Sequence, residues 1–158
     1  MEINNKKINS VLFVCTGNSC RSQMAEGYLK KLLKDSGKKH IKVSSAGLAA
    51  LEGLPPAKEA VEIVKKYGGD ISGNKSKPVT KELVKNYDLI LVMTHTHLNN
   101  INKRFPESKD KTYLLREFDS NFNPKDPDVF DPIGLPLQAY EECFKIMKKP
   151  IERMAEIL

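Results

Sequence analysis

The chain has 158 residues, 40% of them hydrophobic and 29% charged, with a formal net charge of +6. That length suits one well-packed domain, residues 1–158, and is too short for two ordinary ones. No apolar run is long enough to span a bilayer, and the lysines are scattered through stretches such as "YLKKLLKDSGKK" instead of forming one stripe interleaved with aromatics, so neither a membrane nor a nucleic acid is an expected partner.

The N-terminal "MEINNKKINSVLFVC" imitates a secretion signal, but "VLFV" is too short for its apolar region and no small-residue cleavage site follows. A cytoplasmic protein is expected. "INSVLFVC" reads as a buried first strand. From Ser22, "SQMAEGYLKKLLKD" places Met24, Ala25, Tyr28, Leu29, Leu32 and Leu33 on one helical face, and Gly37 stops the helix. "IKVSSAG" is a second strand, "LEGLPP" a turn-rich connection, and "AKEAVEIVKKYGG" an amphipathic helix ended by glycines. A short helix, "TKELVKNY", leads into "DLILVM", the most strand-like run of the chain. His95 and His97 in "MTHTHL" lack a neighbouring cysteine or carboxylate, so they read as polar residues at a strand end, not metal ligands. "HLNNINKRF" is a short helix and "KTYLL" a fourth strand. "REFDSNFNPKDPDVFDPIGLP" follows, a loop too long to be mere connection. "LQAYEECFKIMKKPIERMAEIL" closes the chain as a helix that Pro150 bends or splits. Alternating strands and helices imply an α/β fold, a parallel sheet with helices on both faces.

In such folds ligands bind where strand ends meet helix N-termini. "CTGNSCRS", from Cys15 to Ser22, occupies that place between the first strand and the first helix. Its backbone N–H groups can turn inward as an anion nest, backed by the helix dipole. Gly17 and Asn18 are the residues that most readily take the left-handed conformations of a nest. Arg21 adds a planar donor fork suited to two phosphate oxygens. The same field favours the thiolate of Cys15, so a bound tetrahedral oxyanion would sit over a nucleophilic sulfur. A cysteine followed at this spacing by Arg and then Ser or Thr arises by chance in roughly one chain in a hundred of this composition. The competing explanation, a buried structural cysteine beside a turn, is therefore the weaker one.

Three cysteines without a CxxC pair form neither a disulfide framework nor a supported zinc site. A leaving group needs a proton donor, and the late loop offers Asp126, Asp128 and Asp131. Residue chemistry alone does not choose among them.

"VLFVCTGNSCRS", "SSAG", "DLILVMT" and "DVFDPIG", taken together in this order, resemble the low-molecular-weight protein tyrosine phosphatase family over essentially the whole chain. The Cx5R[ST] loop is shared by several phosphatase folds; its N-terminal position with a late Asp-Pro loop is specific to this one. The resemblance implies a four-stranded parallel sheet and hydrolysis of phosphorylated proteins, without metal or cofactor, through a phosphocysteine, with inorganic phosphate as product. It further implies that Thr16, Gly17, Asn18, Ser19, Cys20, Arg21 and Ser22 surround the phosphate. Cys15 matches the nucleophile, Arg21 the phosphate-binding arginine and Asp131 the general acid. Asn18, Ser22 and Ser45 match residues that brace the loop, Ser22 also bonding the Cys15 sulfur. A histidine brace of many members is replaced by Asn74, and the aromatic walls around phosphotyrosine by Leu51 and Ile133.

The loop also resembles that of thioredoxin-coupled arsenate reductases, which relay a disulfide to cysteines after the third strand. Here "LVMTHTHLNNINKRF" contains no cysteine, and Cys143 lies in a helical pattern where a core role is expected. An inactive phosphate-binding module is the other alternative, disfavoured because Cys15, Arg21 and an acid are all present. Cys20 is expected to capture an oxidised Cys15 as a disulfide. Tyrosine-specialised members commonly carry Ile where this chain has Ser19, and the protein-arginine phosphatase branch carries Thr, so phosphotyrosine and phosphoarginine both stay open.

Overall fold

The computed structural model describes residues 2–3 and 5–158. Met1 and Asn4, inside the expected domain of residues 1–158, lie outside the described residues. A two-stranded antiparallel hairpin, β1 (Glu2–Ile3) and β2 (Lys6–Lys7), precedes the main sheet and was not expected from the sequence. Its strands are two residues each, below the length at which alternation carries any signal.

The main sheet has four parallel strands in the order β4-β3-β5-β6: β3 (Ser10–Cys15), β4 (Lys42–Gly47), β5 (Leu89–Val92) and β6 (Thr112–Leu114). All six residues of β3 and all four of β5 are buried, which is why both read as unbroken apolar runs. Val11 and Phe13 face one core with α1 (Arg21–Asp35), α2 (Lys58–Lys66) and α5 (Leu137–Ile157). Leu12 and Val14 face the other, with α3 (Lys81–Asn86) and α4 (His95–Arg104). Helices thus cover both faces, as the alternation implied.

Because the chain leaves β3 toward β4 and later leaves β5 toward β6, the two connections diverge to opposite faces. The crevice between the C-terminal ends of β3 and β5 is the switch point where such sheets bind ligands. The structure differs from expectation in two places, at a histidine pair and at a proline. His95 and His97 lie on the first turn of α4, whose N-cap Thr94 accepts from the His97 amide at 3.1 Å, and not at a strand end. Pro150 does not split α5, which runs unbroken through it. Pro150 is buried beside Met147, Ile151 and Met154, so packing of that apolar face outweighs the one missing backbone donor.

Candidate active site

Residues 15–20 join β3 to α1, and their carbonyls are engaged from outside. The amides of Leu48 and Ala49 donate to the carbonyls of Cys15 and Thr16, both at 2.9 Å. The Ala57 amide holds the Ser19 carbonyl at 3.0 Å, and Gln23 Nε2 holds that of Asn18 at 3.2 Å. Carbonyls engaged from outside the loop are what an inward-facing anion nest requires. The α1 N-terminus has no side-chain cap and no acidic residue in its first turn, so its positive end is uncompensated. This is the electrostatic signature of an anion site.

Asn18 takes the expected left-handed conformation, φ 55°. Gly17 does not; its φ is not positive. Asn18 sustains that conformation by bonding on three sides. Its Nδ2 donates to Ser22 Oγ at 2.8 Å and Ser45 Oγ at 2.9 Å, while its Oδ1 accepts from the Lys77 amide at 3.0 Å. Ser45 passes its own proton to Glu26 Oε1 at 2.7 Å. Asn74 Nδ2 donates to Glu26 Oε2 and Gln23 Oε1, both at 2.9 Å, so Asn74 braces the carboxylate that holds Ser45. Ser22 Oγ lies 2.9 Å from Cys15 Sγ, placed to donate to a thiolate sulfur. A Cβ at Gly47 would lie 2.5 Å from the Thr16 carbonyl oxygen and 2.9 Å from the Asn18 amide, so only glycine lets β4 approach the loop.

Arg21 is 4% exposed. Its Nη1 donates to the Val129 carbonyl at 3.0 Å, fixing the guanidinium plane against the late loop. Among the described residues its Nη2 has only long contacts, 3.5 Å to Thr16 Oγ1 and 3.5 Å to Asp131 Oδ2, and its buried Nε has no partner. Nη1 is thus held, while Nη2 lies between Thr16 and Asp131.

The three candidate acids separate clearly. Asp128 accepts from the His95 amide at 2.9 Å and from His95 Nδ1 at 3.1 Å. Partial burial pushes this carboxyl up, but the His95 hydrogen bonds outweigh it and hold the net shift downward. Asp126 is paired with Arg116 at 3.4 Å. Asp131 alone contacts Arg21, its side chain 43% exposed and directed to the loop mouth. Several ties pin its loop: Val129 N to Met93 O at 2.8 Å, Arg116 Nη1 to Asp128 O at 2.7 Å, and Cys143 Sγ to Phe130 O at 3.5 Å. Leu51 and Ile133 are exposed.

The Cys20 thiol lies 3.5 Å from both Tyr140 Oη and Ser19 Oγ, and burial raises its pKa. Cys143 is fully buried on α5 and pushed up to about 12 by desolvation, in line with the core role expected of it. Sequence reasoning missed Glu26, His97, Arg116 and Gly47. Each acts on a partner distant along the chain, and the only local signals were the "MAEG" and "SSAG" strings in which Glu26 and Gly47 sit.

A parallel α/β sheet carrying a Cys-x5-Arg loop at its switch point, with an aspartate facing the arginine, defines the cysteine-dependent phosphatase class. Within it, the model of the family described as "Low molecular weight phosphotyrosine protein phosphatase" matches residues 10–158, and the chain belongs to that family. A protein-arginine-phosphatase of Geobacillus stearothermophilus is 37% identical, the match covering 94% of this chain and 95% of that protein. The low molecular weight protein tyrosine phosphatase from T. tengcongensis is 40% identical, with a TM-score of 0.86 over 94% of this chain and 99% of that one. A mutant of YwlE arginine phosphatase "with phosphorylated active site serine" superposes with a TM-score of 0.86 at 32% identity, covering 94% of this chain and 95% of that one.

Proposed function

We propose that the chain is a cytoplasmic phosphoprotein phosphatase acting on phosphotyrosine, phosphoarginine or both. The observation that carries this reading is the loop whose carbonyls are held outward around Cys15 while Arg21 and Asp131 meet above it. Cys15 attacks phosphorus as the leaving atom departs opposite. The converging N–H groups and the free edge of Arg21 take up the charge of the transferring phosphoryl group. Asp131 protonates the leaving oxygen or nitrogen, then deprotonates the water that releases phosphate from sulfur. Ser22 donates to the departing thiolate.

Ser19 is half-buried in the loop, and its hydroxyl suits a polar guanidinium better than a phenyl ring. The polar side chain and the absence of aromatic walls at Leu51 and Ile133 favour phosphoarginine. The test compares kcat/KM on a phosphotyrosine and a phosphoarginine peptide for wild type and Ser19→Ile. Both peptides should be scored, and the substitution should move the ratio toward tyrosine by roughly tenfold, the scale of one buried methylene. An unchanged ratio removes Ser19 as a determinant; no hydrolysis of either peptide removes the function.

We also propose that Cys20 protects the nucleophile. Peroxide oxidises the Cys15 thiolate to a sulfenic acid with release of hydroxide. The Cys20 thiol then attacks the sulfenic sulfur, water leaves, and a disulfide forms. Burial raises the Cys20 pKa, so capture should quicken as pH rises from 7 to 9. Peroxide-treated wild type should regain activity with dithiothreitol, whereas Cys20→Ser should lose most of it permanently. Equal recovery in the two proteins would dispose of this role.

A further inference from the structure

His97 is 6% exposed on the first turn of α4, and its ring Nδ1 is buried without a partner among the described residues. Its Nε2 lies 2.8 Å from Thr16 Oγ1, across the crevice between the ends of β5 and β3. Thr16 immediately follows Cys15 and is itself exposed at the loop mouth. We propose that His97 is a positioning residue that turns the Thr16 hydroxyl into a donor for an oxygen of the bound phosphoryl group. This inference rests on the phosphate-binding reading of the loop.

The hydrogen inventory leads there. Thr16 Oγ1 has one proton and two lone pairs, and Arg21 Nη2 at 3.5 Å can only donate to it. Burial, with the charge of Arg21 adding to it, lowers His97 to about 4, so the ring is neutral and carries a single N–H. Were that proton on Nδ1, an N–H would be buried with no acceptor, the rarer and costlier kind of orphan. With the proton on Nε2, His97 donates to Thr16, both lone pairs of Thr16 Oγ1 are occupied, and its own proton has no internal acceptor. An exposed hydroxyl beside the nucleophile then presents that proton to the site. The arrangement also ties the loop after β3 to the helix after β5, the two elements that diverge at the switch point.

The experiment is a double-mutant cycle of Thr16→Val and His97→Phe, with His97→Gln as the conservative variant whose amide nitrogen replaces Nε2. The readouts are the Kd for inorganic phosphate by calorimetry, kcat and KM on p-nitrophenyl phosphate, and Tm. Thr16→Val should weaken phosphate about tenfold, the lower end for a hydrogen bond to a charged oxygen. His97→Phe should weaken it about fivefold, raising KM with kcat nearly unchanged. The double variant should match Thr16→Val alone, and His97→Gln should restore affinity to within about twofold. Tm should not fall in His97→Phe, because the orphaned Nδ1 disappears with the ring. Additive losses, or equal losses in His97→Phe and His97→Gln, would overturn the inference. If wild type binds phosphate but hydrolyses nothing, the catalytic reading fails and the binding cycle still decides this one. If phosphate does not bind at all, both fall.

Discussion

Cys15→Ser should lower kcat on a phosphopeptide by about ten-thousandfold or more while leaving the Kd for inorganic phosphate within about threefold. The two readouts separate because different atoms serve them. In the proposed reading, phosphate is held by the backbone N–H groups of a loop whose carbonyls are tied to Leu48, Ala49, Ala57 and Gln23, and by Arg21, fixed through Val129. None of these contacts involves the sulfur. Turnover, by contrast, requires a nucleophile that is strong at neutral pH and leaves readily, and an alkoxide does neither well. The phosphorylated serine in the related arginine phosphatase mutant adds a covalent readout: the variant incubated with substrate should gain one phosphoryl group at position 15, detectable by intact-mass measurement. Retained turnover would remove Cys15 as nucleophile, and lost phosphate affinity would mean the sulfur helps build the cradle.

The parts of this fold that could be read from sequence are those where neighbours along the chain decide the outcome. β3 and β5 are buried on both faces and so appear as apolar runs, and α2 shows its core face at helical spacing through Ala60, Ile63 and Val64. The loop from Cys15 to Ser22 was legible for a different reason: the nucleophile, the left-handed residue and the arginine all lie within eight consecutive positions. What was hidden is whatever the fold brings together. Glu26 accepts from Ser45 and Asn74, 19 and 48 residues away, and His97 reaches Thr16 across 81. The left-handed position also had to be seen, since Asn18, held by three bonds, adopts it while Gly17 does not. Thr94 was a readable cap: a threonine three residues before His97 should have moved both histidines from the strand into α4.

The choice among three aspartates was likewise a through-space matter, and it sets the second large effect. Asp131→Asn should reduce kcat/KM by roughly a hundred- to a thousandfold on substrates whose leaving group must take up a proton, such as a phosphotyrosine or phosphoarginine peptide. On p-nitrophenyl phosphate, whose leaving group departs readily as an anion, the loss in kcat/KM should be no more than about tenfold. kcat/KM is the right quantity because it reports steps through formation of the phosphocysteine. Hydrolysis of that intermediate, for which Asp131 is also the proposed base, enters only kcat. The comparison variants follow from the geometry. Asp126 pairs with Arg116 at the loop's outer edge, its side chain 70% exposed, so Asp126→Asn should stay near wild type. Asp128 holds the start of α4 through the His95 amide and ring, so Asp128→Asn should cost a fewfold on all substrates alike, because it loosens the loop without removing the acid. Only Asp131 contacts Arg21, so only its substitution should make the loss depend on the leaving group. A loss at Asp131 that is the same for p-nitrophenyl phosphate and the peptides would show that it positions Arg21 instead of delivering a proton. Leaving-group dependence at Asp128 would move the acid there.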